Sequence, residues 1–227
     1  MNELQTTNHE LRTLRIYDCG LANYRNVLDQ QHQLWEERHL DKIPNTVLIV
    51  EHPAVITLGA RQSANKLFLS QEELAKRGIN VVEIRRGGGA TAHNPGQLVF
   101  YPILHLQQLD LGVSEYIREL ETTGTELLAS LGVHAQRQKG FPGLWVGEKK
   151  IASIGVRVSK GVTYHGMAIN INNDLSIFDF LVPCGLDGVE MTSVLKETGQ
   201  HHPMIQVKDK LTRLLISHFS GSVNNES

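Results

Sequence analysis

Cys184 lies between Pro183 and Gly185, in the segment FDFLVPCGLDGVEMTSV. A free cysteine is most often a small buried hydrophobe, and it then usually lies inside a periodic strand or helix. A Pro-Cys-Gly segment is a constrained turn instead. A thiol with a pKa of about 8.5 is a few per cent thiolate at neutral pH, and the thiolate is intrinsically nucleophilic. The setting of Cys184 therefore favours nucleophilic chemistry over a role in the core.

Two adjacent lysines, Lys149 and Lys150, lie at the mouth of a predicted hairpin in GLWVGEKKIASIGVRV. A hairpin lysine is ordinarily a solvated surface charge. Successive strand residues face opposite sides, so only one of the pair can point inward beside Ile151 and Ile154. A desolvated lysine has a lowered pKa and can act as a base near neutral pH. The inward lysine is a candidate partner for a thiol, although spacing alone does not bring the two side chains together.

The densest glycine-rich segment is RGGGATAHNPGQ, residues 86–97. Three consecutive glycines cost conformational entropy and contribute no packing, which suggests a backbone that a ligand approaches closely. The segment fits G-x-G-x-x-A, a weak dinucleotide signature that requires a following helix. His-Asn-Pro-Gly follows instead, so we reject a dinucleotide site. A phosphate-binding P-loop is also rejected, because the Gly-Lys-Ser/Thr ending is absent.

His93 in this loop has two open interpretations, a substrate contact or a structural turn residue. A metal ligand is the least favoured role, because no second histidine or carboxylate stands at ligand spacing. No metal and no cofactor are expected. Cys19, the other cysteine, is interpreted as a small hydrophobe of the core.

Hydrophobic periodicity predicts how these segments are held. An amphipathic pattern predicts helices near the start, in the middle and at the end of the chain, and Ser70 with Glu73 forms a capping box for a shorter one. Apolar runs separated by short turns predict strands and an antiparallel meander. Pro102 predicts an edge or an irregularity in its strand. The expected fold class is α+β, with a mixed, largely antiparallel sheet packed with helices. The predicted helices span about 23–40, 71–77, 116–131 and the region of 207–215, and the predicted strands span 46–51, 55–58, 81–85, 98–104, 144–146, 151–158 and 162–171.

Bulk composition narrows the class of protein. The chain has 227 residues, 41% hydrophobic and 20% charged, as in ordinary globular proteins. A net charge of -2 argues against generic nucleic-acid binding. No apolar run approaches the roughly 18–20 residues of a membrane span, and the polar start lacks a signal-peptide layout, so we expect a cytoplasmic protein. One catalytic domain is expected over 13–219, with polar tails at 1–12 and 220–227.

Taken together, several segments resemble the lipoyl(octanoyl) transferase family, also called octanoyl-[acyl-carrier-protein]:protein N-octanoyltransferases. The resemblance covers about residues 52–195, and it is specific because separate motifs occur in the family's order. It also implies the fold of the biotin/lipoate protein ligase catalytic domains. The matching segments are HPAVITLG (52–59), RGGGATAHNPGQLVFYPI (86–103), GLWVGEKKIASIGVRV (143–158), YHGMAININ (164–172) and PCGLDGVEMTSV (183–194).

The resemblance implies a two-step acyl transfer in protein lipoylation. An octanoyl or lipoyl group passes from acyl carrier protein to Cys184 as a thioester, and a lysine of a lipoyl domain then takes it as an amide. Cys184 matches the family's nucleophile, and Lys150 matches the lysine that tunes it. The acceptors implied are lipoyl domains of the 2-oxoacid dehydrogenase and glycine cleavage complexes, and the enzyme is expected to be a monomer. Neither ATP nor a metal is required, because thioester exchange is nearly isoenergetic and aminolysis is favourable.

The resemblance also implies a set of substrate-binding residues. Two positions depart from the family's pattern: Ala92 stands where an aromatic residue is common, and Asn94 where glycine is common. A missing ring at position 92 is expected to enlarge or reshape the acyl pocket. The implied substrate-binding residues are Arg86, Gly87, Gly88, Gly89, Ala90, Thr91, Ala92, His93, Ser153, Ile154, Gly155, Gly166, Met167 and Ala168.

Two alternatives stay open. An ATP-dependent lipoate–protein ligase belongs to a related family with a similar fold and its own glycine-rich, histidine-containing loop, but it needs no cysteine nucleophile. The PCGL and HNPGQ segments favour the transferase. A non-catalytic acyl-binding or carrier-recognition module, with Cys184 as a core residue, is the alternative from a different class.

Overall fold

A computed structural model describes residues 13–220 of the chain, and the side chain of Cys184 is outside that description. The predicted polar tails, apart from Ser220, lie outside the described residues. Within them, the elements are helices and strands in mixed order, as the sequence predicts for an α+β fold.

The main sheet has seven strands in the order β1-β2-β6-β10-β9-β8-β7. β1 and β2 pair in parallel, and the other neighbours pair antiparallel, so the sheet is mixed and largely antiparallel. A second sheet has the order β4-β3-β5. The strands are β1 (Leu14–Leu21), β2 (Asn45–Glu51), β3 (Val55–Leu58), β4 (Asn80–Glu83), β5 (Thr91–His93), β6 (Gln97–Ile103), β7 (Gln136–Gln138), β8 (Phe141–Val146), β9 (Lys149–Ser159) and β10 (Val162–Asn170).

The predicted helices are present, and their ends follow local capping chemistry. Asn23 accepts a hydrogen bond from the Arg25 N–H at the start of the first helix, and the capping box of Ser70 and Glu73 starts the second. No helix within residues 13–220 is long and apolar enough to span a bilayer. The helices are α1 (Tyr24–His39), α2 (Gln71–Lys76), α3 (Val113–Ser130), α4 (Val194–Thr198) and α5 (Met204–Phe219).

Strand alternation divides the main sheet between two cores. Leu98 and Phe100 of β6 pack with α3 and α5 on one face. Val99 and Tyr101 pack on the other face, with Tyr24 of α1. A third cluster lies around the small sheet. Since each fully buried large apolar side chain contributes about 1.5–3 kcal/mol, these layers hold the strands in register.

Pro102 does not mark an edge, because β6 lies in the middle of the sheet between β2 and β10. The predicted irregularity is real, however. Pro102 is paired with Val47 of β2, whereas regular pairing to β10 stops at Phe100. The Pro102 carbonyl accepts a hydrogen bond from Thr163 Oγ1 on the β10 side. The Pro102 nitrogen, which carries no hydrogen, therefore points toward β10, where the regular strand pairing is interrupted. The proline consequently removes no hydrogen bond between strands.

Candidate active site

Lys149 and Lys150 face opposite sides of β9, as their positions predict. Lys150 is only 2% exposed, which is unusual for a lysine. The side chain of Lys149 is 42% exposed, and its Nζ lies 3.8 Å from Glu190 Oε1. Lys150 is therefore the inward lysine of the pair.

The Lys150 side chain lies in a fitted slot. Its Nζ donates to the Pro142 carbonyl at 3.1 Å and lies 5.1 Å from the centroid of the Trp145 ring. A carbonyl acceptor and an aromatic face both stabilise an ammonium group. Gly143 leaves room for the slot, because a Cβ at that position would lie 2.9 Å from Lys150 Cε.

The backbone of Lys150 is hydrogen-bonded to the chain that follows the Pro-Cys-Gly turn. The Lys150 N–H donates to the Glu190 carbonyl at 2.9 Å, and the Thr192 N–H donates to the Lys150 carbonyl at 2.9 Å. Cys184 itself lies in a 3₁₀ turn, Pro183–Gly185. The sheet thus fixes Lys150 beside the segment that carries the predicted nucleophile.

Ala64 joins this turn to the glycine-rich loop. A Cβ at Gly89 would lie 2.5 Å from Ala64 Cβ, and a Cβ at Gly185 would also lie 2.5 Å from it. Real Cβ atoms do not approach so closely, so both positions require glycine. Gly185 also has a φ of +71°, which glycine adopts without strain. Two of the sequence's glycine-containing motifs therefore meet on one alanine.

A pocket lies beneath the glycine-rich loop, between β9, β10 and α1, with about 380 Å³ of empty space that includes its open mouth. Nine predicted substrate-binding residues line it: Arg86, Thr91, His93, Ser153, Ile154, Gly155, Gly166, Met167 and Ala168. Five others do not line it: Gly87, Gly88, Gly89, Ala90 and Ala92.

Ala92 lies on the opposite side of β5 from the pocket lining. It alternates with Thr91 and His93 along β5, so those two side chains face the pocket and Ala92 faces away from it. Ala92 is fully buried in the third cluster, with Ile56 and Leu74. The missing aromatic ring at this position therefore does not enlarge the pocket. Asn94, the other departure, donates from Nδ2 to the Asp174 carbonyl at 2.7 Å.

Arg86 is held at the pocket by Thr57 of β3 and by the backbone of its own loop. Its Nη2 donates to Thr57 Oγ1 at 2.8 Å, and its Nη1 donates to the Gly87 carbonyl at 2.9 Å. Gly155 allows this placement, because a Cβ there would lie 2.7 Å from Arg86 Cδ. A guanidinium stays protonated in proteins, so the pocket holds a fixed positive charge.

Sequence reasoning missed four residues that line the pocket, Tyr24, Val99, Tyr101 and His165. The strand period places Val99 and Tyr101 on one face, which was a usable signal. No such signal placed Tyr24 in the pocket lining, because its position there depends on how α1 packs against the sheet. Behind the pocket, His52 Nδ1 donates to the Ala22 carbonyl at 2.7 Å, and its Nε2 lies 2.8 Å from Tyr101 Oη.

Burial keeps the pocket's histidines and tyrosines uncharged at neutral pH. It lowers the pKa of His93 to about 3, with His52 nearby as a second cause. Burial also lowers the pKa of His165 to about 3 and raises that of Tyr24 to about 12. Desolvation disfavours the charged form of each group. Among the lining residues that the structure describes, Arg86 is then the one that is ionised at pH 7.

Comparisons with known proteins place the chain in a family. The family model "Lipoyl protein ligase A/B catalytic domain" matches residues 23–216. An octanoyltransferase of Roseiflexus sp. (strain RS-1) is 42% identical over 212 residues, which cover 92% of this chain and 88% of that protein.

Two solved structures show the same fold at low sequence identity. A lipoate-protein ligase A bound with ATP superposes with a TM-score of 0.68 at 18% identity, covering 90% of this chain and 84% of that one. The biotin protein ligase of Aquifex aeolicus, in complex with biotin and ATP, gives a TM-score of 0.56 at 16% identity, covering 90% and 70%. The expected ligase-type fold is thereby confirmed. The family model matches most of the chain, and a curated octanoyltransferase is 42% identical to it. This chain therefore belongs to the lipoyl(octanoyl) transferase family and is an acyltransferase of protein lipoylation.

Proposed function

We propose that the protein transfers an octanoyl group from acyl carrier protein to a lysine of a lipoyl domain, through a thioester on Cys184. The supporting observation is the position of Lys150, which is buried and hydrogen-bonded through its backbone to the segment that follows Cys184. An inward lysine at this point supplies the positive charge that a thiolate nucleophile needs.

In the first step, the Cys184 thiolate attacks the thioester carbonyl of the donor. The new C–S bond forms to Cys184, the C–S bond to the carrier's prosthetic arm breaks, and the arm leaves as a thiolate that takes up a proton. Lys150 acts as the acid–base partner: it takes the proton that the Cys184 thiol loses, stabilises the anionic sulfur, and returns that proton to the departing arm. The pocket beneath the glycine-rich loop takes the acyl chain, along Ile154 and Met167.

In the second step, the neutral amine of the acceptor lysine attacks the Cys184 thioester. An amide C–N bond forms and the C–S bond to Cys184 breaks. The amine loses one proton, and the released Cys184 thiolate takes up one proton. An amide is more stable than a thioester, so this step runs forward without ATP.

The remaining features of the proposal concern the protein's setting. Its acceptors are lipoyl domains of the 2-oxoacid dehydrogenase and glycine cleavage complexes. It acts in the cytoplasm, as a monomer with one catalytic domain over residues 13–219. It needs no metal or cofactor.

A reconstituted assay tests the function directly. The protein is incubated with octanoyl-carrier protein and an apo-lipoyl domain, without ATP, and intact masses are recorded. We expect an octanoyl adduct on the protein that hydroxylamine removes, followed by an octanoylated lipoyl domain. Cys184→Ser should abolish both products while the circular dichroism spectrum is unchanged. Unchanged transfer by Cys184→Ser would remove Cys184 from the mechanism.

A second candidate function is an ATP-dependent lipoate–protein ligase, because the two superposed ligases share the fold and both have bound ATP. Such an enzyme would lipoylate the domain from free lipoate and ATP, and Cys184→Ser would not stop it. A strict requirement for ATP would exclude the transferase. Acyl binding without transfer in either assay would favour the non-catalytic binding module.

A further inference from the structure

A chain of buried amide side chains runs from the pocket to the strand that carries Lys150. Gln97 is 2% exposed and Asn170 is 1% exposed, and both lie behind the pocket's lining. Gln97 Nε2 donates to Asn170 Oδ1 at 2.8 Å, and Asn170 Nδ2 donates to the Thr192 carbonyl at 2.9 Å. The Thr192 N–H in turn donates to the Lys150 carbonyl, so the amide chain ends on β9.

The Gln97 amide has one orientation that satisfies its neighbours. Its Nε2 lies 3.2 Å from the Ala92 carbonyl, which can only accept a hydrogen bond, so the nitrogen must be on that side. Its Oε1 then faces His93 Nδ1 at 2.7 Å. An amide oxygen can only accept, so Nδ1 of His93 carries the ring proton.

The tautomer determines what His93 offers to the pocket. A neutral imidazole has one N–H, so a proton on Nδ1 leaves Nε2 with a lone pair. The ring stacks on Tyr24, with centroids 5.7 Å apart and planes 13° apart, and it lines the pocket. Among the side chains that the structure describes, none other forms a hydrogen bond with Nε2. Nε2 is therefore an acceptor available to a group that enters the pocket.

We infer that Gln97 and Asn170 are positioning residues, which hold His93 as its Nδ1–H tautomer and so fix Nε2 as the hydrogen-bond acceptor for an N–H group of the substrates. This inference rests on the proposed octanoyl transfer. The acyl chain itself has no hydrogen-bond donor. The N–H therefore comes from an amide of the carrier's prosthetic arm or from the amine of the acceptor lysine.

The tautomer is tested first, on the unmodified protein. Two-bond ¹H–¹⁵N correlation spectra of the ¹⁵N-histidine-labelled protein, assigned with His93→Gln, distinguish a protonated Nδ1 from a protonated Nε2. We expect Nδ1–H for His93, and we expect it to persist from pH 8 to pH 5, because burial lowers the pKa of His93 to about 3. A protonated Nε2 would overturn the inference, whatever the enzyme transfers.

The role in transfer is tested with Gln97→Met and Asn170→Leu, which keep side-chain volume and remove the hydrogen bonds. Loss of a residue that orients another functional group typically lowers activity about 10- to 100-fold. Acylation of Cys184 by octanoyl-carrier protein and aminolysis by the lipoyl domain are measured separately, in single turnovers. Slower acylation assigns the N–H to the carrier's arm, and slower aminolysis assigns it to the acceptor lysine.

Asn172→Leu is the matched control, since Asn172 is two residues from Asn170. Within the described residues, its side chain bonds only to the His202 backbone, through Nδ2 and Oδ1 at 2.6 and 3.1 Å. We expect it to lower the melting temperature and leave both half-reactions unchanged. Equal losses in all three variants, or no loss in Gln97→Met, would overturn the positioning role. A wild-type protein that transfers no octanoyl group contradicts the proposed function instead, and the spectra then still report the tautomer.

Discussion

Gly89 and Gly185 approach the same methyl group, that of Ala64, although 96 residues separate them in the chain (185 − 89 = 96). One belongs to the glycine-rich loop, whose flanking residues Arg86 and Thr91 line the pocket, and the other to the turn that holds Cys184. The Ala90 N–H also donates to the Ala64 carbonyl at 3.2 Å. Ala64 thus sets the spacing between the pocket and the predicted nucleophile.

Enlarging Ala64 should therefore slow the chemistry. In Ala64→Val, the added methyl groups must displace Gly89 or Gly185, and a displacement of about 1 Å can cost about 100-fold in rate. Overpacking also destabilises by about 1–3 kcal/mol. Ala135→Val is the control, because Ala135 is equally buried, at 6%, but lies in the core on the far face of the sheet. Equal rates of octanoyl transfer in the two variants would contradict the spacing role.

Lys150 and Lys149 should respond very differently to removal. Lys150→Ala empties the slot beside Trp145 and removes the cation next to the Cys184 segment, so we expect acylation to slow at least about 100-fold, the scale of a lost acid–base group. Lys149→Ala removes an exposed charge and should change the rate less than about 2-fold, since exposed ion pairs contribute little. Single-turnover acylation measured by intact mass checks both. Comparable losses would mean that Lys150 has no special role.

The sequence was sufficient for α1, α2, α3 and α5, for the meander and for the inward orientation of one lysine, because periodicity and alternation carry that information locally. It did not predict α4 or the strands β1, β5 and β7. The placement of Cys184 at a turn was also readable, from Pro183 and Gly185. The meeting of Gly89 with Gly185 was not, since it depends on how two distant segments pack on Ala64.

Position 92 shows what a motif leaves open. Resemblance assigns every residue of the glycine-rich segment to the substrate, whereas the pleat of β5 turns Ala92 away from the pocket. The amide chain of Gln97 and Asn170 was equally invisible to sequence reasoning, because it crosses two strands and a loop.

The two sides of β5 lead to a prediction on chain length. Ala92→Phe should lower the melting temperature, because a ring must enter the third cluster, where Ala92 is fully buried. The preference among hexanoyl, octanoyl and decanoyl donors should not change. Val99→Phe is the comparison variant, because Val99 lines the pocket, and it should shift the preference toward shorter chains. Competition between the three donors, analysed by mass spectrometry, decides it. A changed preference in Ala92→Phe alone would restore the original expectation.

The buried histidines predict how stability depends on pH. In the folded state, burial lowers the pKa of His93 and His165 to about 3 and that of His52 to about 4, whereas the unfolded values are about 6.5. The unfolded chain therefore binds more protons between these limits. Stability from these groups is present above pH 6.5 and is lost as the pH falls toward 3–4, by about 1.4 kcal/mol per pH unit for each histidine.

Urea unfolding at pH 7, 6 and 5 measures this slope. His165→Asn removes one titrating group, and asparagine tolerates the φ of +56° at this position. We expect the free energy of unfolding of this variant to decline less steeply with falling pH than that of the wild type. The two slopes should differ by about 1.4 kcal/mol per pH unit, the contribution of one histidine. The absolute stability of the variant is not the criterion, since a lost side chain changes it at every pH. Parallel slopes for variant and wild type would mean that His165 binds protons to the same extent in the folded and unfolded protein, so that burial does not keep its ring neutral.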